Sequence, residues 1–447
     1  MGDVSISPRR RREIIDALRR GTVPQQGLDV MAVGLTTFEA AIDEELEAVR
    51  QGAAQFKAVR GDYGSGKTFF ARWLTERAKK KNFATVEIQI SETETPLYKL
   101  EKVYRRIVET LSTPGVSSGA FGDVVDGWLY VLSQDVQDAG LLDAAELEAR
   151  TDLLLEKRLS AVSKEAPAFA MALRAYREMS AAGQNAEADA LLAWLGGQPH
   201  VSAGARRSAG VRGELDHYGA LGFLQGLLTV LRDSDYSGLV LVLDEVETLQ
   251  RMRSDVREKS LNALRQLMDE VDSGRFPGLY LLMTGTPAFY DGQQGVQRLA
   301  PLAQRLQTDF GTDSRFDNPR APQIRLQGFT LESLVELGSR VRDIYATDKE
   351  NAGRIHAVVD DAYVADLAAA VAGELGGRTG VAPRVFLKKL VADILDRVDQ
   401  FPEFDPRTHY ELTFSVGELT GVEREAHSRG DIRAASTVDE VDLDLDL

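Results

Sequence analysis

Eight consecutive residues carry the sharpest chemical signal in the chain: Gly61-Asp62-Tyr63-Gly64-Ser65-Gly66-Lys67-Thr68. They fit G-x-x-x-x-G-K-[ST], the spacing of a loop that cradles a phosphate chain. Glycines let the backbone turn tightly enough for several N–H groups to face one anion. A helix starting at the end of the loop, from Phe69 on, would add the positive end of its dipole. Lys67 supplies a mobile point charge for the β- and γ-phosphates. Thr68 supplies a hydroxyl for Mg²⁺. Residues 61–69 are therefore the candidate ATP-binding loop. The plainer reading is a glycine turn before a surface helix.

A second constellation follows far downstream. Gly238-Leu239-Val240-Leu241-Val242-Leu243 runs into Asp244-Glu245. A run apolar on both faces suits a central parallel strand, and open α/β sheets bind ligands beyond the carboxyl ends of their strands. Asp244 is the candidate Mg²⁺ ligand, and Glu245 the group that orients and polarises an attacking water. These are Walker A and Walker B patterns. Residues 278–287 read as a further buried strand whose polar end carries Thr284 and Thr286. Either threonine would sit near the γ-phosphate, at the sensor-1 position of AAA+ ATPases, or be a plain strand-end threonine. Arg305, on a predicted helix at 301–306, is a candidate arginine finger acting in trans, in competition with Arg298, Arg315 and Arg320. Arg384 follows Pro383 in the first turn of a predicted helix at 382–399. That is where a sensor-2 arginine sits; the alternative is a structural surface arginine.

The elements that position these residues are legible from pattern. Strands are predicted at 56–60, 83–90, 238–245, 278–287 and 324–329. Helices are predicted at 7–20, 36–51, 69–77, 96–111 and 257–271. The interval between Lys67 and Asp244 far exceeds the ~30 residues of one βαβ unit. Its surplus, 113–215, contains alanine-rich helical runs (145–163, 168–182, 187–194) and a Gly/Ser/Ala/Arg loop at 196–213. Three helices after the last strand, near 330–346, 359–375 and 382–399, resemble an AAA+ lid. The expected fold is an α/β phosphate-loop AAA+ core with a parallel five-stranded sheet, a helical insertion between Walker A and Walker B, and a C-terminal helical lid. The expected divisions are 1–35, 36–112, 113–215, 216–329, 330–400 and 401–447, the last with an acidic tail read as disordered.

Composition bounds the function. The 447 residues carry a formal net charge of −16, which argues against a protein coated all round by nucleic acid. Basic faces at 9–12 and on Lys99, Lys102, Arg105 and Arg106 leave local DNA contact open beside plain surface use. No apolar run is long enough for a membrane span, and the N-terminus lacks the apolar core of a signal peptide. There are no cysteines, so disulfides and thiolate chemistry are excluded and a cytoplasmic setting is expected. The five histidines, His200, His217, His356, His409 and His427, show no metal-ligand spacing.

The chain resembles the BrxD family of ATP-binding proteins from BREX phage-defence systems. The resemblance spans most of the chain. It is carried by residues 15–24, the loop at 61–70, residues 97–111, Leu243-Asp244-Glu245-Val246-Glu247-Thr248-Leu249, Thr284-Gly285-Thr286-Pro287 and Pro383-Arg384-Val385-Phe386-Leu387. The ATPase core is similar to that of the origin-recognition initiator and helicase-loader clade of AAA+ proteins. The resemblance implies a bacterial defence or DNA-processing role and the company of a superfamily 2 helicase. That clade usually carries a winged helix after the lid, and residues 401–447 are short for one. Two functions are carried forward. One is an ATPase that remodels or loads a partner on DNA, with homo-oligomerisation left open. The other is a nucleotide-gated switch or adaptor that binds ATP, hydrolyses it little and docks a partner protein.

Overall fold

The computed structural model describes residues 6–138, 143–311, 313–376, 380, 382–414, 417, 419–421 and 423–424. Along the chain, α1 (Pro8–Arg19) and α2 (Thr36–Arg50) precede β1 (Gln55–Arg60). Helix α3 (Lys67–Lys80) separates β1 from β2 (Ala84–Gln89). Eight helices then intervene: α4 (Leu100–Thr110), α5 (Phe121–Gln137), α6 (Ala144–Arg158), α7 (Ser160–Glu165), α8 (Pro167–Ala181), α9 (Asn185–Leu195), α10 (Ala203–Ser208) and α11 (His217–Asp233). After β3 (Leu239–Asp244) come a 3-10 turn, Val246–Arg251, and α12 (Ser254–Asp272). Beyond β4 (Leu279–Gly285) lie α13 (Pro287–Asp291), α14 (Ala300–Leu306) and β5 (Gln323–Arg325). Helices α15 (Leu331–Ala346), α16 (Ala352–Val358) and α17 (Asp361–Glu374) follow. The last long helix runs through α18 (Pro383–Lys388), a π-helical stretch at Lys389–Leu395, and α19 (Asp396–Gln400). No helix among the described residues is long and apolar enough to cross a membrane. The acidic tail lies outside the described residues.

These elements form two compact units. The sheet unit comprises Leu35–Arg60 and Phe70–Arg325; the helical unit comprises the described residues up to Gly34, the loop Gly61–Phe69 and the described residues from Leu326 on.

In the sheet unit, five parallel strands lie in the order β2-β3-β4-β1-β5. Every residue of β3 and β4 is buried, as their unbroken aliphatic runs require of strands covered on both faces. The helices between β2 and β3 share one hydrophobic core with the sheet: Val86 and Leu241 belong to the same cluster as Trp128, Phe169 and Trp194. Phe223 of α11 centres this packing, with edge-on contacts to Tyr104, Phe169 and Trp194.

Charge also sits inside this unit. Lys57, in the middle of β1, is fully buried. Its ammonium pairs with Glu45 of α2 at 2.5 Å and donates to the carbonyls of Pro319 and Ala321, both at 2.9 Å. The Tyr280 hydroxyl of β4 donates to the other Glu45 oxygen at 2.6 Å. Burial pushes the Glu45 carboxyl up and the Lys57 ammonium down. Mutual hydrogen bonding offsets that desolvation.

A second, shallower tie joins α2 to α3. Arg77 of α3 forks onto Asp43, with N–O distances of 2.9 and 2.6 Å. The Arg77 hydrogen bonds hold the Asp43 carboxyl below its usual range, against a smaller opposing effect of burial. A lowered folded-state value means the pair stabilises the fold above the ordinary aspartate pKa and loses that effect as pH falls through the lowered one. Asp43→Asn should therefore cost under ~1 kcal/mol at neutral pH, because the pair is partly solvated. The cost should shrink in acid, and urea midpoints of the two proteins at pH 7 and pH 3 measure this.

In the helical unit, α1, α15, α17, α18 and the π-helical stretch enclose a core that includes Ile14, Leu18, Val341, Val364, Phe386 and Leu390. Ser7 caps α1 by accepting from the Arg10 N–H, with Pro8 in the first turn, as the N-terminal preferences of both residues predict. Arg19 at the other end of α1 forks onto Asp396, at 2.6 and 2.9 Å.

Several predicted boundaries need correction. Residues 96–99 are a turn rather than the start of α4. Ser91 Oγ accepts from the N–H groups of Glu94 and Thr95, and the Lys99 N–H closes onto Pro96 O at 2.9 Å. The predicted loop at 196–213 contains α10, which Ser202 caps by accepting from the Ala205 N–H. The predicted fifth strand, 324–329, pairs only over Gln323–Arg325. Helix α16 intervenes where the sequence reading placed none.

Candidate functional site

The residues of the glycine-rich loop take the geometry their types allow. Gly64 and Gly66 have φ of +79° and +89°, left-handed values that side chains disfavour. A Cβ at Gly61 would collide with Ser65 Oγ. Lys67 is the first residue of α3, so the positive end of that helix's dipole lies at the loop. The Lys67 ammonium donates to Gly61 O at 2.9 Å and Asp62 O at 3.1 Å, and the Tyr63 ring lies 5.2 Å from it. The Ser65 N–H closes onto Asp62 O at 3.2 Å, while Ser65 Oγ is buried without a hydrogen-bond partner among the described residues. Gly66 faces the Phe329 ring. Phe69 packs against the core of the helical unit. Thr68 is half-buried and engaged. A loop with left-handed glycines at 64 and 66, no room for a Cβ at Gly61, a buried cation and an unpaired hydroxyl suits an anionic ligand.

In the sheet unit, the carboxyl ends of β2, β3 and β4 assemble a separate polar cluster. Asp244 is buried and accepts from the Thr284 hydroxyl and, at 3.1 Å, from the Glu245 N–H. The same N–H lies 3.2 Å from Thr284 Oγ1. Thr284 is fully buried, so its side chain is committed to the acidic pair. Thr286 caps the start of α13 without a side-chain hydrogen bond. Glu245 itself is left-handed, with φ 58° and ψ 44°. Such a conformation costs a non-glycine residue of order 1 kcal/mol, and such outliers gather where chemistry is done.

One partner escaped the sequence reading. Gln89, the last residue of β2, lies in register with Asp244, and its amide donates to Glu245 Oε2 at 2.7 Å. The sequence offered little hint, because Gln89 is one of three polar residues in the alternating strand Ala84-Thr85-Val86-Glu87-Ile88-Gln89.

The arginines are placed as follows. Arg305 pairs with Asp269 at 2.5 Å and with Asp272, both on α12. Arg315 pairs with Asp313, and Arg320 with Glu44 at 2.8 Å. Arg298 donates to Ser254 Oγ at 3.1 Å. In the helical unit, Arg384 pairs with Glu423. On α4, Lys102 and Arg105 are tied to the carbonyls of Thr93 and Gly197, and Arg106 to Glu109.

Two oxygen donors of the kind a hard divalent cation takes stand in the chain, each in its own unit. Thr68 offers a hydroxyl in the glycine-rich loop and Asp244 a carboxylate in the sheet unit; among the described residues no group of three metal-binding side chains forms a cage. Mg²⁺ is commonly held by one or two carboxylates together with substrate phosphates.

An all-parallel five-stranded sheet, with a glycine-rich loop after β1 and an acidic pair ending β3, is consistent with an α/β protein of the phosphate-loop class. The chain belongs to the BREX system ATP-binding protein BrxC/D family, whose model matches residues 6–414. Membership assigns it an ATP-binding role in a phage-defence system. No curated protein matches the chain significantly.

Proposed function

We propose that the chain is an AAA+ ATPase that hydrolyses ATP to remodel a partner or load it on DNA. The observation that carries the reading is the hydrogen-bonded set of Asp244, Thr284 and Glu245 at the carboxyl ends of the parallel strands, the edge where such sheets bind ligands. The residues of Gly61–Phe69 wrap the phosphates with backbone N–H groups, and Lys67 gives up its loop carbonyls for the β- and γ-phosphate oxygens. Thr68 and Asp244 would hold Mg²⁺, which would supply positive charge against that developing on the phosphates. Thr284 fixes the orientation of Asp244. Glu245 orients the attacking water and draws its proton, and Gln89 holds the Glu245 carboxylate until water is in place.

In the same proposal, residues 113–215 are a helical insertion in the ATPase core, residues 330–400 are the lid, and Arg384 meets the terminal phosphate in cis. Arg305 serves as a finger in trans only by leaving Asp269 and Asp272. Membership in a BREX system supports a partner from that system, a superfamily 2 helicase among the candidates. The net charge of −16 favours reaching DNA through that partner.

Lys67→Ala should weaken ATP binding at least about 30-fold, the equivalent of losing ~2 kcal/mol of charge-assisted hydrogen bonding. Equilibrium titration with a fluorescent ATP analogue measures it. Unchanged affinity would remove the loop from the nucleotide site.

A further inference from the structure

Arg384 does not stand open in the helical unit. Its Nε donates to Glu423 Oε1 at 3.0 Å, and its Nη2 donates to Oε2 of the same carboxylate. This is the two-pronged guanidinium–carboxylate geometry. Glu423 is 6% exposed at its side chain against 34% for Arg384, so the acid, rather than the arginine, is the sequestered partner. It is also held from its own side: the Thr420 N–H donates to Glu423 Oε2 at 2.7 Å, and the Glu423 N–H donates to Thr420 Oγ1 at 3.3 Å. That reciprocal pattern is a capping box, and it builds a local turn around the carboxylate. The other face of the guanidinium is confined by Gly21, where a Cβ would come within 3.3 Å of Nη1.

The edge of Arg384 that grips Glu423 is the edge a phosphate would need. Carboxylate and phosphate both take a guanidinium through two parallel N–H donors, and one edge serves one of them at a time. A buried carboxylate that loses its arginine is left uncompensated, which is costly; Glu423 must then move toward water and give up its hydrogen bonds with Thr420. We propose that Glu423 is an intramolecular competitor for Arg384, exchanged for the terminal phosphate of ATP, so that the C-terminal turn is closed without ATP and released with it. This rests on the reading that Arg384 meets the terminal phosphate. By reciprocity, whatever opens the turn strengthens ATP binding, and ATP opens the turn.

The test is the ratio of ATP to ADP affinity, measured by calorimetry on the full chain. ADP lacks the phosphate in question, so a general loss of stability moves both affinities and leaves the ratio unchanged. Glu423→Gln should raise the ratio roughly three- to tenfold, a modest effect because the pair is partly solvated. Arg384→Ala should lower it, and the double variant should match Arg384→Ala. Thr420→Ala, which removes one half of the capping box, should move the ratio in the same direction as Glu423→Gln. It decides the matter if the Glu423 variant does not fold. Hydrogen exchange at the Thr420 amide should quicken with ATP and not with ADP.

If Arg384→Ala lowers the ratio while the Glu423 and Thr420 variants leave it at the wild-type value, Arg384 senses the phosphate but Glu423 is only a brace, and the competition is overturned. If Arg384→Ala itself leaves the ratio unchanged, the sensor reading fails and the competition fails with it.

Discussion

Glu245→Gln leaves ATP bound and lowers its hydrolysis at least about 100-fold, the lower end of what a positioned general base contributes. The substitution keeps side-chain length and the left-handed backbone at this position, so Asp244 and Thr284 keep their mutual hydrogen bonds. What is lost is the charged oxygen that, in the proposed mechanism, polarises water. The Gln89 amide, which donates to that oxygen at 2.7 Å, then faces another amide that still offers an acceptor, so the local fold is retained. Parallel assays of ATP affinity and phosphate release separate binding from chemistry. Equal hydrolysis in the two proteins would take Glu245 out of the reaction.

Lys57→Met destabilises the sheet unit by roughly 3–5 kcal/mol, the usual effect of removing one member of a buried ion pair. Glu45 would keep its Tyr280 hydrogen bond but lose its counter-charge, and the carbonyls of Pro319 and Ala321 would lose their donor. Pairing Lys57→Met with Glu45→Met should recover much of the loss, because two buried charges replaced by apolar groups no longer need each other. Tryptophan fluorescence during urea unfolding reads this unit cleanly: the chain has three tryptophans, and Trp73, Trp128 and Trp194 all lie buried in it. A single variant as stable as the wild type would show that the network contributes nothing net.

The readable part of this protein is what neighbouring residues encode. Gly61–Phe69 is legible because turn, cation and hydroxyl are consecutive. Asp244 and Glu245 are legible because an aliphatic run of strand length ends on them. The competing roles of Thr284 and Thr286 were not separable by spacing, since both lie on the same side of a strand end. The contact of Thr284 with Asp244 needs the pairing of β3 with β4. Gln89 acquires its partner through the register of β2 on β3, which no local pattern specifies. Nothing around Lys57 in the predicted strand at 56–60 names a partner for it; only the packing of α2 beside β1 and β4 gives it Glu45. Likewise, nothing near Arg384 in the sequence points to Glu423. The pairing forms when the chain returns after the π-helical stretch at Lys389–Leu395, itself invisible in a helical pattern. Long-range charge pairing is thus the information that periodicity and motif spacing leave out.

The central claim is that this chain turns ATP over. Steady-state phosphate release by the wild-type protein, with Mg²⁺ and with a chelator, tests it most directly. The account predicts release that requires Mg²⁺ and disappears in Lys67→Ala. Tight ATP binding with no release under either condition, alone or with DNA and the other BREX proteins present, would contradict it. The chain would then act through the ATP it holds rather than the ATP it cleaves.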